Sequence, residues 1–201
     1  MIDTIIFDIG NVLAHFCFET SFKKVLNEKE FELISKASVL DEEKWLMLDK
    51  GEKNYEELLD YYSKDIPCLK EKMDLAIKTV YNDIVPFDYS NDWIKEYKNR
   101  GFKVYILSNY GEIPFKLSST RFDFLNYTDG AVISYQVKQI KPTKEIYKAI
   151  CDKYSITPSN AVFIDDNLKN IEGSKLFGIN SVLFQNYKQA KTEVEKFICN
   201  K

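Results

Sequence analysis

Four places along the chain carry side chains that chemistry can use. They are Asp8, the pair Ser108 and Asn109, Lys141 before Pro142, and the pair Asp165 and Asp166. Singly each is ordinary, since an Asp after a strand often caps a helix and a Lys before Pro often lies in a solvated loop. As a set they can serve attack on a phosphate monoester. Its oxygens are already negative, so the reaction needs an anionic nucleophile and enough positive charge around the phosphoryl group. Asp8 can supply the nucleophilic carboxylate. A magnesium ion would relieve its repulsion from the phosphate, because Mg²⁺ favours a few carboxylates together with waters and substrate oxygens. Asp8 and Asp166 are the expected side-chain ligands, with Asp165 a further ligand or an orienting neighbour. Two adjacent carboxylates repel each other without a cation, which favours metal binding over simple helix capping. Lys141 is the expected point charge, holding Asp8 ionised and balancing the phosphoryl oxygens. The Ser108 hydroxyl and the Asn109 N–H can donate to the same oxygens. Pro142 restricts Lys141 to extended backbone, which helps to aim it.

Short apolar runs must position these groups. Thr4–Phe7 ends at Asp8, Lys103–Leu107 at Ser108 and Ala161–Ile164 at Asp165; Ala131–Ser134 and Ser181–Phe184 are similar. Runs this short and this rich in Val, Ile and Phe read as buried parallel strands. Helical periodicity lies between them, over Asn91–Asn99, Lys144–Tyr154 and Asn170–Phe177, the last ending at Gly178. Alternation of this kind predicts an α/β fold, a Rossmann-like parallel sheet whose strand carboxyl ends bind the ligand. One stretch breaks the pattern. From Phe18 to Val85 no strand is evident, and Glu19–Leu26, Lys29–Ala37, Glu42–Leu48, Tyr55–Lys64 and Leu69–Tyr81 read as helices, with Asn54 and Glu57 as a capping box. We expect residues 16–86 to form a helical cap over the carboxyl edge of a core made of 1–15 and 87–201. The aromatic residues of this cap (Phe16, Phe18, Phe22, Trp45, Tyr55, Tyr61, Tyr62) are spaced mostly for helix packing.

The chain has 201 residues, 45% hydrophobic and 29% charged, with a net charge of -3. This is ordinary globular composition, and no basic stripe suggests nucleic acid. Cys17, Cys68, Cys151 and Cys199 are too scattered for a zinc site or a disulfide framework. The opening MIDTIIFDIGNVL lacks a basic start and is interrupted by Asp3 and Asp8, so it reads as neither signal peptide nor membrane span. The expectation is a cytoplasmic protein, a monomer or weak homodimer, whose partner is a small phosphorylated molecule.

The local texts FDIGNVL, ILSN, KQIKP and FIDDNLKNIEGSKLFGI, in this order, resemble the four motifs of the haloacid dehalogenase-like (HAD) superfamily. The resemblance covers essentially the whole chain and extends to a helical cap between the first two motifs. It is nearest to the sugar-phosphate phosphatases, of the bacterial glucose-1-phosphate phosphatase type, with their similar FDLGNV opening. It implies a HAD fold with strand order 5-4-1-2-3, an aspartyl-phosphate on Asp8, and one Mg²⁺ held by Asp8, the Gly10 carbonyl and Asp166. One departure matters. The family's first motif is DxD, and its second Asp protonates the leaving group; here that position is Gly10, which keeps a carbonyl but has no proton to give. The glucose-1-phosphate phosphatase type shares this departure. An acid must then come from the cap, from the substrate's surroundings or from water; His15 is the one histidine and follows closely. Haloacid dehalogenases also use the nucleophilic Asp without a second Asp, and without metal, but the Asp165-Asp166 pair has little use there. A degenerate protein that only binds a phosphorylated ligand is the remaining alternative, and retention of Asp8, Lys141 and the acidic pair argues against it. A helical cap makes a small chamber that excludes water, which favours small phosphorylated metabolites. A sugar 1-phosphate fits best, since its anomeric oxygen leaves readily and asks less of the missing acid.

Overall fold

In the computed structural model, which describes residues 1–38 and 40–199, the first apolar run is β1 (Thr4–Phe7), buried at every position. It is followed in chain order by β2 (Ala14–His15), β3 (Val85–Pro86), β4 (Lys103–Ser108), β5 (Gly130–Ile133), β6 (Ala161–Asp165) and β7 (Asn180–Leu183). Five of these form one sheet in the order β5-β4-β1-β6-β7, and every pairing in it is parallel. Numbered among themselves the five run 3-2-1-4-5, the expected order read from the opposite edge. Phe7 is in register with Ile106 on one side and Ile164 on the other. The residues that follow these three strands therefore emerge side by side at the carboxyl edge.

Alternation along the strands divides the core in two. Ile5, Phe7, Val104, Ile106, Val162 and Ile164 pack with Trp93, Tyr97, Ala190 and Val194. Ile6, Tyr105, Leu107 and Phe163 face the other way, against Ile146, Tyr147, Ile150 and Ile171. Period-two side-chain direction makes this split unavoidable once both faces carry helices.

Between β1 and β4 the chain forms α1 (Phe18–Val25), α2 (Glu28–Ala37), α3 (Glu42–Lys50), α4 (Tyr55–Tyr62), α5 (Lys70–Asp83) and, returning to the sheet, α6 (Ser90–Asn99). Three of these helices, α2, α3 and α4, start at a side-chain cap. Asn27 and Glu30 form a reciprocal capping box, as do Asn54 and Glu57, and Asp41 accepts from the Lys44 N–H. Gly51 ends α3 in the left-handed region, at φ 64°. The two connections to the insertion are tied by antiparallel pairing of β2 with β3, Ala14 opposite Pro86 and His15 opposite Val85. The stretch read as purely helical thus contains one two-residue strand at its end. Pro86 can take part because an edge position needs no ladder N–H from it.

After β4 come α7 (Glu112–Ser118), α8 (Ser134–Val137), α9 (Lys144–Tyr154), α10 (Leu168–Phe177) and α11 (Tyr187–Cys199). The sequence analysis assigned α9 and α10 but not α7, α8 or α11. Pro114 sits inside α7 and α8 is a single turn, so neither carries an apolar stripe; α11 has one, Tyr187, Ala190, Val194 and Ile198, of which only Ala190 and Val194 are fully buried.

Candidate active site

Asp8, Ser108 and Asp165 end or follow neighbouring parallel strands, and Lys141 reaches them from the loop before α9. Lys141 is 2% exposed. Its Nζ lies 2.7 Å from Asp165 Oδ2, to which it donates, and 2.8 Å from Asp8 Oδ1. The Asp8 contact is an ion pair between two nearly buried groups. The loop that holds Lys141 is pinned by Asn109. The Asn109 Oδ1 accepts from the Lys141 N–H at 2.8 Å, and its Nδ2 donates to the Lys141 carbonyl at 3.0 Å. The Asn109 side chain is therefore the positioner of the lysine, a role the sequence analysis did not give it. The Lys141–Pro142 peptide is cis.

Asp165 is fully buried, and both its oxygens are engaged. Oδ1 accepts from the Asn167 N–H at 2.8 Å, and Asn170 Nδ2 donates to both oxygens at 3.1 Å. Asn167 caps α10 by accepting from the Lys169 N–H, so neither aspartate is spent on capping. Asp166 is more exposed and accepts from Asn11 Nδ2 at 3.1 Å. Asn11 holds the left-handed region at φ 54°, which its short side chain tolerates better than most. The sequence analysis missed it; its one signal was an Asn directly after Gly10.

Asp8, Asp165 and Asp166 each offer an oxygen within 4.8 Å of the others. This all-carboxylate donor set suits a hard divalent cation. Charge points the same way, because three carboxylates surround a single ammonium. Burial raises the Asp8 pKa to about 7; Lys141 opposes the rise, and Asp165 and Asp166 add to it. Lys141 thus favours the ionised form of Asp8, as expected of it, and only partly offsets the burial. Burial works against the Lys141 ammonium as well, but Asp165 and Asp8 outweigh it and hold its pKa above the ordinary lysine value. Asp166 is also raised, by burial first, with Asn11 opposing and Asp165 assisting.

These groups open onto a cavity of about 310 Å³. Its floor includes Asp8, Gly10, Asn11, Ser108, Asn109 and Lys141, while Phe16, Glu42, Trp45, Leu46, Asp49 and Tyr81 close it from the insertion side. Most of the aromatics listed from the insertion's sequence are packed together, as expected; Phe16 and Trp45 also reach this cavity. His15 does not line it: it is exposed, edge-on to Phe87, and borders a separate small cavity with Cys17 and Asp83. Asp49, near the end of α3, was not singled out in the sequence. It is 7% exposed, and burial raises its pKa to about 7, with Asp8 adding and Lys141 and the Gly111 N–H opposing.

Comparison with known proteins agrees with this geometry. A haloacid dehalogenase-like hydrolase family model matches residues 2–178. A HAD-like hydrolase structure from Porphyromonas gingivalis superposes with a TM-score of 0.78 at 22% identity, covering 100% of both chains. A HAD family enzyme of Bacteroides thetaiotaomicron, in a magnesium complex, gives a TM-score of 0.74 at 24% identity over 90% of this chain and 92% of that one. Among curated proteins, (S)-2-haloacid dehalogenase 4A of Burkholderia cepacia is 25% identical over 127 residues, 62% of this chain and 52% of its own length. The chain thus spans about half the length of that curated relative. With the family match running from the first strand through α10, and with Asp8, Lys141 and the acidic pair gathered at one sheet edge, this chain belongs to the haloacid dehalogenase-like hydrolases.

Proposed function

We propose that the protein is a Mg²⁺-dependent phosphohydrolase acting on a small phosphorylated metabolite, a sugar phosphate foremost, through an aspartyl-phosphate on Asp8. The carrying observation is the unbalanced cluster of Asp8, Asp165 and Asp166 around Lys141. A magnesium ion would be held by Asp8, Asp166 and the Gly10 carbonyl, and would supply the positive charge that lets a carboxylate approach a phosphate. The chain's own groups do the rest. Lys141 balances the phosphoryl oxygens, Ser108 and the Asn109 N–H donate to them, and Asp165 with Asn109 fixes the lysine. The cavity is of the size that takes a small metabolite, and its roof is partly aromatic. A metabolite phosphate is the substrate that fits beneath it, rather than a phosphoprotein.

Dehalogenation is the competing chemistry, since the curated relative is a dehalogenase and the same Asp would attack the halogen-bearing carbon. Against it, Lys141 is the one cationic side chain among the described lining residues, and it already faces two carboxylates. An acidic cluster is a poor host for a haloacid carboxylate. The test is a panel of sugar phosphates, nucleotides and 2-haloacids, with and without Mg²⁺. We expect Mg²⁺-dependent phosphate release, highest on sugar phosphates. Asp8→Asn should lower turnover by about 10³-fold or more, because it keeps the shape and removes the anion. Halide release without metal, or full activity in Asp8→Asn, would end this reading. Nucleotides outpacing every sugar phosphate tenfold, about 1.4 kcal/mol of transition-state preference, would end the substrate assignment alone.

A further inference from the structure

Gly10 leaves a gap in the chemistry, and its surroundings leave a gap in space. A Cβ built at Gly10 meets nothing within 4 Å, so no steric demand keeps a side chain out. The reaction still releases an alkoxide that needs a proton. The cavity wall holds few groups able to give one. Asp8 is the nucleophile, and Asp166 belongs to the cation site. Glu42 is exposed and paired with Lys169 at 2.7 Å. The Tyr81 and Tyr110 phenols are poor acids in these surroundings, both made weaker by burial first and by Asp49 among other charges. His15 lies outside the cavity. Asp49 remains.

Asp49 is buried in the cavity wall and, among the described residues, makes no ion pair and no hydrogen bond to another side chain through its carboxyl group. Its backbone is fixed with care. Ser134 Oγ donates to the Asp49 carbonyl at 2.5 Å, and Lys138 Nζ donates to the Gly51 carbonyl just beyond. Gly111 lets α3 come this close, since a Cβ there would stand 2.8 Å from the Leu48 carbonyl. The end of α3 is thus clamped onto the segments after β4 and β5, with a carboxyl group that no other described side chain engages held in the roof of the cavity.

We propose that Asp49, from the insertion, is the catalytic acid that replaces the carboxyl missing at position 10. This rests on the phosphohydrolase reading above. In the first half-reaction an Asp8 oxygen bonds to phosphorus, and the bond from phosphorus to the leaving oxygen breaks. The electron pair goes to that oxygen, which takes the Asp49 proton and departs as a neutral alcohol. In the second, Asp49 as carboxylate takes a proton from water while the water oxygen bonds to phosphorus. The acyl phosphate bond breaks, Asp8 recovers its carboxylate, and inorganic phosphate leaves. The groups facing Asp49 are Asp8 and Lys141 from the core, the phenols of Tyr62, Tyr81 and Tyr110, and the Gly111 N–H. Burial keeps its carboxyl group protonated to higher pH than usual, which supports the assignment.

An acid is needed in proportion to how poor the leaving group is, and this supplies the test. The Mg²⁺-loaded wild-type protein and Asp49→Asn are compared on 4-nitrophenyl phosphate, whose phenolate leaves unaided, and on an alkyl phosphate such as a hexose 6-phosphate. We expect kcat to fall about 100-fold on the alkyl phosphate and by less than about threefold on the aryl phosphate. Asp8→Asn should abolish both. Equal losses on the two substrates, a change confined to KM, or no change would each overturn the role of Asp49 while leaving the phosphohydrolase reading intact. A wild-type protein inactive on both phosphates would sink the two together.

Discussion

At the scale of single residues, the site is a contest between burial and charge. Asp8, Asp49 and Lys141 are each nearly sealed from water, and only Lys141 keeps its charge comfortably, because two carboxylates face it. Both aspartates are raised from 3.8 to about 7. The sign of the consequence follows from proton counting. Between those two values the folded state holds more protons than the unfolded chain, so stability is greatest at low pH and is lost as pH rises towards 7. The slope is bounded by about 1.4 kcal/mol per pH unit for each group. Metal-free protein should therefore melt at progressively lower temperature from pH 4 to pH 7, and Asp49→Asn should flatten that decline. Melting curves across the range decide it: an unchanged slope in Asp49→Asn would mean that this carboxyl group is not held protonated by burial.

At the scale of elements, the lysine depends on how closely a helix approaches a loop. Gly173 lies within α10, where replacing Gly by Ala ordinarily stabilises a helix by about 1 kcal/mol. Here a Cβ would stand 2.5 Å from the Pro142 carbonyl and 2.9 Å from its Cβ, so the new methyl group strikes the loop that carries Lys141. Backbone cannot give way as a flexible side chain can, and overpacking of this kind costs about 1–3 kcal/mol. Gly173→Ala should thus lower the melting temperature, by about 2–8 °C for a chain this size, and lower kcat with it as Lys141 moves off Asp8. An equal or higher melting temperature would show that α10 can shift without strain. The same reasoning explains why this glycine stands in the most distinctive text of the sequence, FIDDNLKNIEGSKLFGI.

For the whole molecule, the proposed Mg²⁺ site would make folding and metal binding one equilibrium. A cation bound only by the native arrangement of Asp8, Asp166 and the Gly10 carbonyl stabilises the fold by mass action, by about 2.7 kcal/mol at a hundredfold excess over Kd. Mg²⁺ should raise the melting temperature, most strongly above pH 7 where the carboxylates are ionised, and EDTA should reverse the gain. Asp166→Asn should blunt it. A melting temperature indifferent to Mg²⁺ at millimolar concentration would remove the metal from the mechanism. The insertion enters at this scale too, since α3 is fastened to the core through Ser134, Lys138 and the Glu42–Lys169 pair.

What the sequence determined by itself was the sheet and the four groups along its edge. Apolar runs of β-branched and aromatic residues are readable locally, and a residue that ends a parallel strand has one place to go. Asp8, Ser108 and Asp165 could be located for that reason, and helix α9 was legible to the residue from its own stripe. Other features lay in contacts between residues far apart in the chain. That Asn109 grips the backbone of Lys141, that Asp165 is consumed in orienting the lysine while Asp166 stays accessible, and that His15 turns away from the cavity depend on loop conformation. No periodicity encodes that. Asp49 is the clearest case. Within its helix it is one acidic residue among several, and only the docking of α3 over the sheet, with a glycine at 111 to admit it, turns that residue into a buried carboxyl group on the cavity that Asp8 also lines.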